Sequence, residues 1–176
     1  MKPVLILMSG TPLAGKSTLA HKIKDHFGSD CKIVSTDEIR KSLTENYADY
    51  SREYDVWTVA VKNVLKHLNK GRVVVMDATL RQKDVRMEHL KYYKDYDIYY
   101  IAFERLPYEV IEERNIDRYW KTLDSENLKR LYDGYEFPEP DELLLYKKAI
   151  IINPENQDLN VNNLLYYIDQ ERRKNE

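Results

Sequence analysis

Short apolar runs alternate with longer stretches of helical periodicity along this chain. Val4-Leu5-Ile6-Leu7-Met8 is continuously apolar, which suits a strand buried on both faces. Lys32 to Ser35, Val73 to Asp77, Asp97 to Phe103 and Ala149 to Ile152 repeat the signal and predict four further strands. Between them, apolar residues recur three and four apart. Leu19, Ala20, Ile23 and Phe27 mark a first helix, with Gly28 as its stop. Ser35-Thr36-Asp37-Glu38 has the form of a capping box and predicts a short helix carrying Ile39, Arg40 and Leu43. Asn46 to Ser51 is polar and reads as a loop. Glu53 to Lys70 puts Val56, Trp57, Ala60, Val61, Val64, Leu65 and Leu68 on one broad face, and Gly71 ends it. More helices are expected from about Gln82 to Lys94, from Pro107 to about Trp120, from Asp124 to Tyr135 and near Leu159 to Arg173. Pro138 and Pro140 are expected to stop the helix before them.

Strands alternating with helices predict an α/β class domain. The expected form is a three-layer fold, with a five-stranded parallel sheet flanked by helices. No repeat or linker divides the chain, so residues 1–176 are expected to be one domain, with residues about 107–140 as a helical lid. Ligands of such sheets sit beyond the carboxyl ends of the strands. The residues just after each strand therefore matter most.

After the first strand comes Gly10-Thr11-Pro12-Leu13-Ala14-Gly15-Lys16-Ser17-Thr18. Gly, four residues, then Gly-Lys-Ser is the pattern of a phosphate-binding loop. Its backbone N–H groups can turn inward onto a polyphosphate. Lys16 would reach the β- and γ-phosphates, and the Ser17 hydroxyl can ligate Mg²⁺. The strand before and the helix after supply the context that the motif needs. ATP and Mg²⁺ are the expected cofactors.

Asp77 closes an apolar strand, as a carboxylate that orients Mg²⁺ beside Ser17 does; the same position also suits a helix cap. Asp37 follows the second strand. It is placed either to take the proton of an acceptor hydroxyl or to stabilise its helix N-terminus and pair with Arg40, three residues on. Arg114 and Arg118 lie four apart and could fold over a nucleotide as part of a lid, or simply face solvent. Lys41, Arg81, Lys83 and Arg86 flank the expected acceptor side or are plain surface charge. His21, His26, His67 and His89 form no metal-ligand pattern.

Composition narrows the rest. Net charge is −2 with 33% charged residues, so there is no broad basic field for unspecific binding along a duplex. Cys31 is the only cysteine, which excludes an intrachain disulfide and fits a reducing cytoplasmic setting. No stretch reaches membrane-spanning length. The 15 tyrosines read mostly as packing, Tyr92, Tyr93, Tyr96, Tyr99 and Tyr100 included. A guanine-specific switch is disfavoured, because Asn69-Lys70-Gly71-Arg72 lacks the final Asp of the base-reading motif.

Four segments together resemble the kinase module of polynucleotide 5′-kinases and the wider group of small P-loop kinases. They are Gly10 to Thr18, Ser35 to Arg40, Val75 to Leu80 and Pro107 to Arg118, in the family's order and spacing. The resemblance implies the P-loop NTPase fold and ATP-dependent transfer to a hydroxyl, foremost the 5′-hydroxyl end of RNA or DNA. A nucleoside, sugar or antibiotic acceptor is the alternative. It implies Lys16 and Arg118 as catalytic cations, Asp37 as general base, and Ser17 and Asp77 at the metal. It places Arg114 with the nucleotide, and Asp37, Arg40 and Thr79 with the acceptor. Leu13 departs from the pattern, standing where relatives often carry Gly.

Overall fold

The computed structural model describes residues 1–155 and 158–174. Five parallel strands form one sheet: β1 (Val4–Ser9), β2 (Cys31–Ser35), β3 (Val73–Asp77), β4 (Asp97–Phe103) and β5 (Lys148–Ile152), in the order β2-β3-β1-β4-β5. β1 lies at the centre, with Ile6 beside Val75 on one flank and Tyr99 on the other.

Alternation along β1 builds two cores. Val4, Ile6 and Met8 face helices α1 (Lys16–Phe27) and α8 (Asp158–Arg173), packing with Leu19, Ile23, Leu164 and Ile168. Leu5 and Leu7 face the other way, onto Ala60, Val64 and Leu68 of α3 (Glu53–Leu68) and onto Tyr93. Each Leu, Ile or Val so buried contributes about 1.5–3 kcal/mol. The expected three-layer parallel architecture is therefore the observed one. Among the described residues, no helix is long and apolar enough to cross a membrane.

The remaining helices are α2 (Thr36–Thr44), α4 (Lys83–Tyr92), α5 (Tyr108–Asp117), α6 (Ser125–Asp133) and the short α7 (Pro140–Leu143). Ser35 caps α2, accepting from the Glu38 N–H, as the capping-box pattern requires. Two expectations change. Pro140 does not merely stop a helix but opens α7, where its missing N–H costs nothing. α5 ends at Asp117 rather than near Trp120, and a single 3₁₀ turn, Tyr119–Lys121, follows. The reason is Asn115. Its buried amide donates to the Leu123 carbonyl (2.8 Å) and accepts from the Leu123 N–H (2.9 Å). That pair of bonds folds the segment back on α5.

α5 and α6 share a small core of their own, Leu106, Ile111 and Leu128. Leu13 of the phosphate-loop motif packs against it. Arg86 corrects the expectation of a surface or cleft-side charge. It is fully buried and forms a two-pronged pair with the equally buried Glu142, at 2.6 and 2.9 Å.

Candidate active site

The loop between β1 and α1 is shaped by its backbone. Gly15 has φ 100°, and Leu13 holds the same left-handed region at φ 59°, where a side chain is strained. Gly10 runs so close to β4 that a Cβ there would meet Phe103 Cβ at 2.8 Å. Lys16 opens α1 and is buried. Its ammonium donates back to the carbonyls of Thr11 (2.6 Å) and Gly10 (3.2 Å). The buried Thr11 hydroxyl has no hydrogen-bond partner among the described residues.

Burial lowers the Lys16 pKa to about 8, with the carboxylates of Asp77 and Asp37 opposing the fall. A bound polyphosphate raises that pKa again. Affinity for it is thus full below pH 8 and falls as pH rises above 8, toward the bound-state value. A fluorescent ATP analogue titrated between pH 6.5 and 9.5 should bind more weakly above pH 8. Affinity unchanged across that range would contradict a charged Lys16 at the phosphates.

Asp77 ends β3 beside the loop. Burial raises its pKa, while a hydrogen bond from Ser17 and the charge of Lys16 act against the rise. One carboxylate and one hydroxyl suit Mg²⁺, a hard cation that keeps most of its waters and binds few protein groups. No cluster of three or more His, Cys, Asp or Glu side chains able to hold a metal occurs among the described residues.

Asp37 lies across the cleft, in the first turn of α2. Arg40 donates to it at 2.6 Å, and Lys121 of the 3₁₀ turn pairs with its other oxygen. Burial would raise the Asp37 pKa, but Lys121 and Arg40 together hold it below the usual carboxylate range. Arg40 itself is buried between Asp37 and Glu53 and stacks on the Tyr50 ring at 4.4 Å. Its guanidinium is committed within the fold.

Arg114 and Arg118 diverge because α5 stops between them. Arg114 donates to the Leu13 carbonyl at 3.0 Å, tying α5 to the loop. Arg118, one residue past the helix, lines the cleft. Burial lowers its pKa against the pull of Asp37, and its Nε has no partner among the described residues. Thr79 also lines the cleft. The cleft holds about 930 Å³ and brings together Lys16, Ser17, Asp37, Asp77, Thr79 and Arg118. Arg40 and Arg114 support it from outside.

Lys121 and Tyr47 are cleft residues that sequence reasoning passed over. Lys121 sits three residues beyond Arg118, in a segment whose 3₁₀ geometry has no strong local signal. Tyr47 lies in the polar loop after α2, with Lys121 Nζ 4.6 Å from its ring centroid.

A family model described as chromatin associated protein KTI12 matches residues 3–175. The chain belongs to the KTI12 family. No curated protein sequence matches it. Among solved structures, Chaetomium thermophilum Kti12 in complex with ADP-AlF3 superposes with a TM-score of 0.69 at 16% identity, over 94% of this chain and 97% of that one. A candidate kinase from Chloroflexus aurantiacus gives a TM-score of 0.69 at 19% identity, over 98% and 97% of the two chains. The Pnkp1/Rnl/Hen1 RNA repair complex matches with a TM-score of 0.65 at 22% identity, over 76% of this chain but 44% of that one. This KTI12-family member therefore has the P-loop kinase fold, as its sequence motifs lead one to expect.

Proposed function

We propose that this chain binds ATP with Mg²⁺ and transfers the γ-phosphoryl group to a hydroxyl, with the 5′-hydroxyl end of a polynucleotide as the acceptor. The observation that carries this reading is the opposition of two charged sets across one cleft. Lys16, Ser17 and Asp77 stand on the loop side, and Asp37 on the α2 side, with Arg118 reaching in from the lid.

The residues divide the work. Backbone N–H groups of the loop from Gly10 to Gly15, Pro12 excepted, and of the start of α1 cradle the phosphates. Lys16 exchanges its loop carbonyls for the β- and γ-phosphates. Ser17 and Asp77 would hold Mg²⁺, which supplies charge neutralisation between the phosphates. Asp37 takes the acceptor's proton as its oxygen bonds to phosphorus and the bond to the ADP oxygen breaks. Arg118 directs its free Nε toward the charge on the moving group. Arg40 serves as a positioning residue, because it fixes the Asp37 carboxylate without lining the cleft. The ADP-AlF3 bound by the Chaetomium Kti12 supports the nucleotide side of this reading.

A second reading is hydrolysis, with water in place of the acceptor hydroxyl. It is favoured by a family description that names a chromatin-associated protein rather than a kinase. Transfer of label from γ-labelled ATP separates the two. The panel should hold 5′-hydroxyl RNA, 5′-hydroxyl DNA, nucleosides and sugars, with inorganic phosphate counted in parallel. Label on an oligonucleotide is expected. Label only on a small molecule would overturn the acceptor and keep the kinase. Label only in inorganic phosphate would favour hydrolysis.

A further inference from the structure

Tyr119 and Trp120 stand at the cleft mouth with 83% and 65% of their surface exposed. Two neighbouring aromatic residues left so bare in a folded chain are unusual, since each would gain by burial. They are not loosely held. The Lys121 N–H and the Thr122 hydroxyl both bond to the Arg118 carbonyl, at 3.0 Å each, and Asn115 anchors Leu123. The turn is thus pinned at both ends while its rings face outward. Their centroids are 5.2 Å apart with the planes at 89°, so the rings form a right-angled corner.

The corner's position says which side it serves. Lys121, the next residue, pairs with Asp37 and sits over Tyr47, so the turn closes on α2. On the donor side, α5 instead reaches the loop through Arg114 and Leu13. Lys41 of α2 lies over the same Tyr47 ring, at 5.3 Å, and Lys24 of α1 and Lys32 of β2 also line the cleft. Around the cleft as a whole, Lys and Arg outnumber Asp37, Glu38 and Asp77, in a chain whose net charge is −2. At the root of the turn, Arg118 keeps a buried Nε without a partner among the described residues.

We propose that Trp120 and Tyr119 form a stacking platform for a base at the 5′ end of a single-stranded polynucleotide. Lys41 and the other lysines that line the cleft meet its first phosphates. Aromatic faces accept any base, and lysines follow a backbone without reading it. Such a site grips an end with little sequence preference and needs no broad basic surface. The inference rests on the acceptor class proposed above and adds the residues that recognise it.

The test reads binding, not turnover. The chain carrying Trp57→Phe keeps Trp120 as its one tryptophan, so fluorescence reports on the corner. It is titrated with a 5′-hydroxyl hexanucleotide, as RNA and as DNA, and with matching oligomers whose first two sugars lack bases. Intact oligomers should quench the signal and bind roughly 5- to 150-fold tighter than abasic ones. In a separate Trp120→Ala chain, followed by anisotropy of a labelled oligomer, that advantage should vanish while abasic binding stays unchanged. Trp120→Phe should restore most of it. Equal affinity of the native corner for intact and abasic oligomers would overturn the platform. So would an advantage that survives Trp120→Ala, or quenching by ATP alone equal to that by the oligomer. Loss of phosphoryl transfer with the base-dependent binding intact would sink the kinase reading and leave the platform standing.

Discussion

Asp37→Asn is expected to abolish phosphoryl transfer while leaving ATP bound. Asn keeps the shape of the side chain but cannot take a proton. Loss of a positioned general base costs about 10²- to 10⁴-fold in rate. The fold should survive, because Arg40 remains held by Glu53 and by the Tyr50 ring. Nucleotide affinity should change by no more than a few-fold, since Asp37 acts on Lys16 less than Asp77 does. Single-turnover transfer measured beside equilibrium binding of an ATP analogue checks both halves. Undiminished transfer would remove Asp37 from the mechanism. The same site has a pH corollary. Because Lys121 and Arg40 hold the carboxyl below its usual range, wild-type transfer should retain its ionised base at mildly acidic pH.

Arg86→Met should be the most damaging change outside the cleft. Arg86 and Glu142 are both fully buried, and the guanidinium also donates to the carbonyls of Leu80 (3.1 Å) and Glu136 (3.0 Å). Removing it strands a carboxylate in the interior, which costs about 3–5 kcal/mol. For a domain of this size that is roughly 6–20 °C in Tm. The double variant Arg86→Met, Glu142→Leu should recover much of the loss, because no buried charge is then left alone. Thermal melts of the single and double variants decide it. A single variant that melts within about 1 °C of wild type would show that water reaches the pair, since each kcal/mol moves Tm by about 2–4 °C.

Much of this architecture is legible in the residues. β1, β3 and β4 declare themselves as apolar runs because both faces of a parallel sheet are covered. The phosphate loop is legible because its chemistry needs small residues and a lysine at fixed offsets. What is not legible depends on contacts far apart in sequence. Arg86 looks like any helix-surface arginine until Glu142, 56 residues later, is brought against it. Arg114 and Arg118 look like one helix face, and only the Asn115–Leu123 bonds reveal that they part. Lys121 becomes a partner of Asp37 only once that turn folds back. Local periodicity carries no trace of such long-range pairings.

Leu13 shows how a loop can borrow its shape. Its left-handed backbone carries a cost of about 1–2 kcal/mol that Gly would not incur. Its side chain answers by packing into the small core of α5 and α6, and its carbonyl by accepting from Arg114. The loop and the α5–α6 pair are therefore tied at two points, one apolar and one hydrogen-bonded. On the nucleotide-binding reading proposed above, α5 cannot shift away from the loop without breaking the Arg114–Leu13 bond and withdrawing the small core that Leu13 fills.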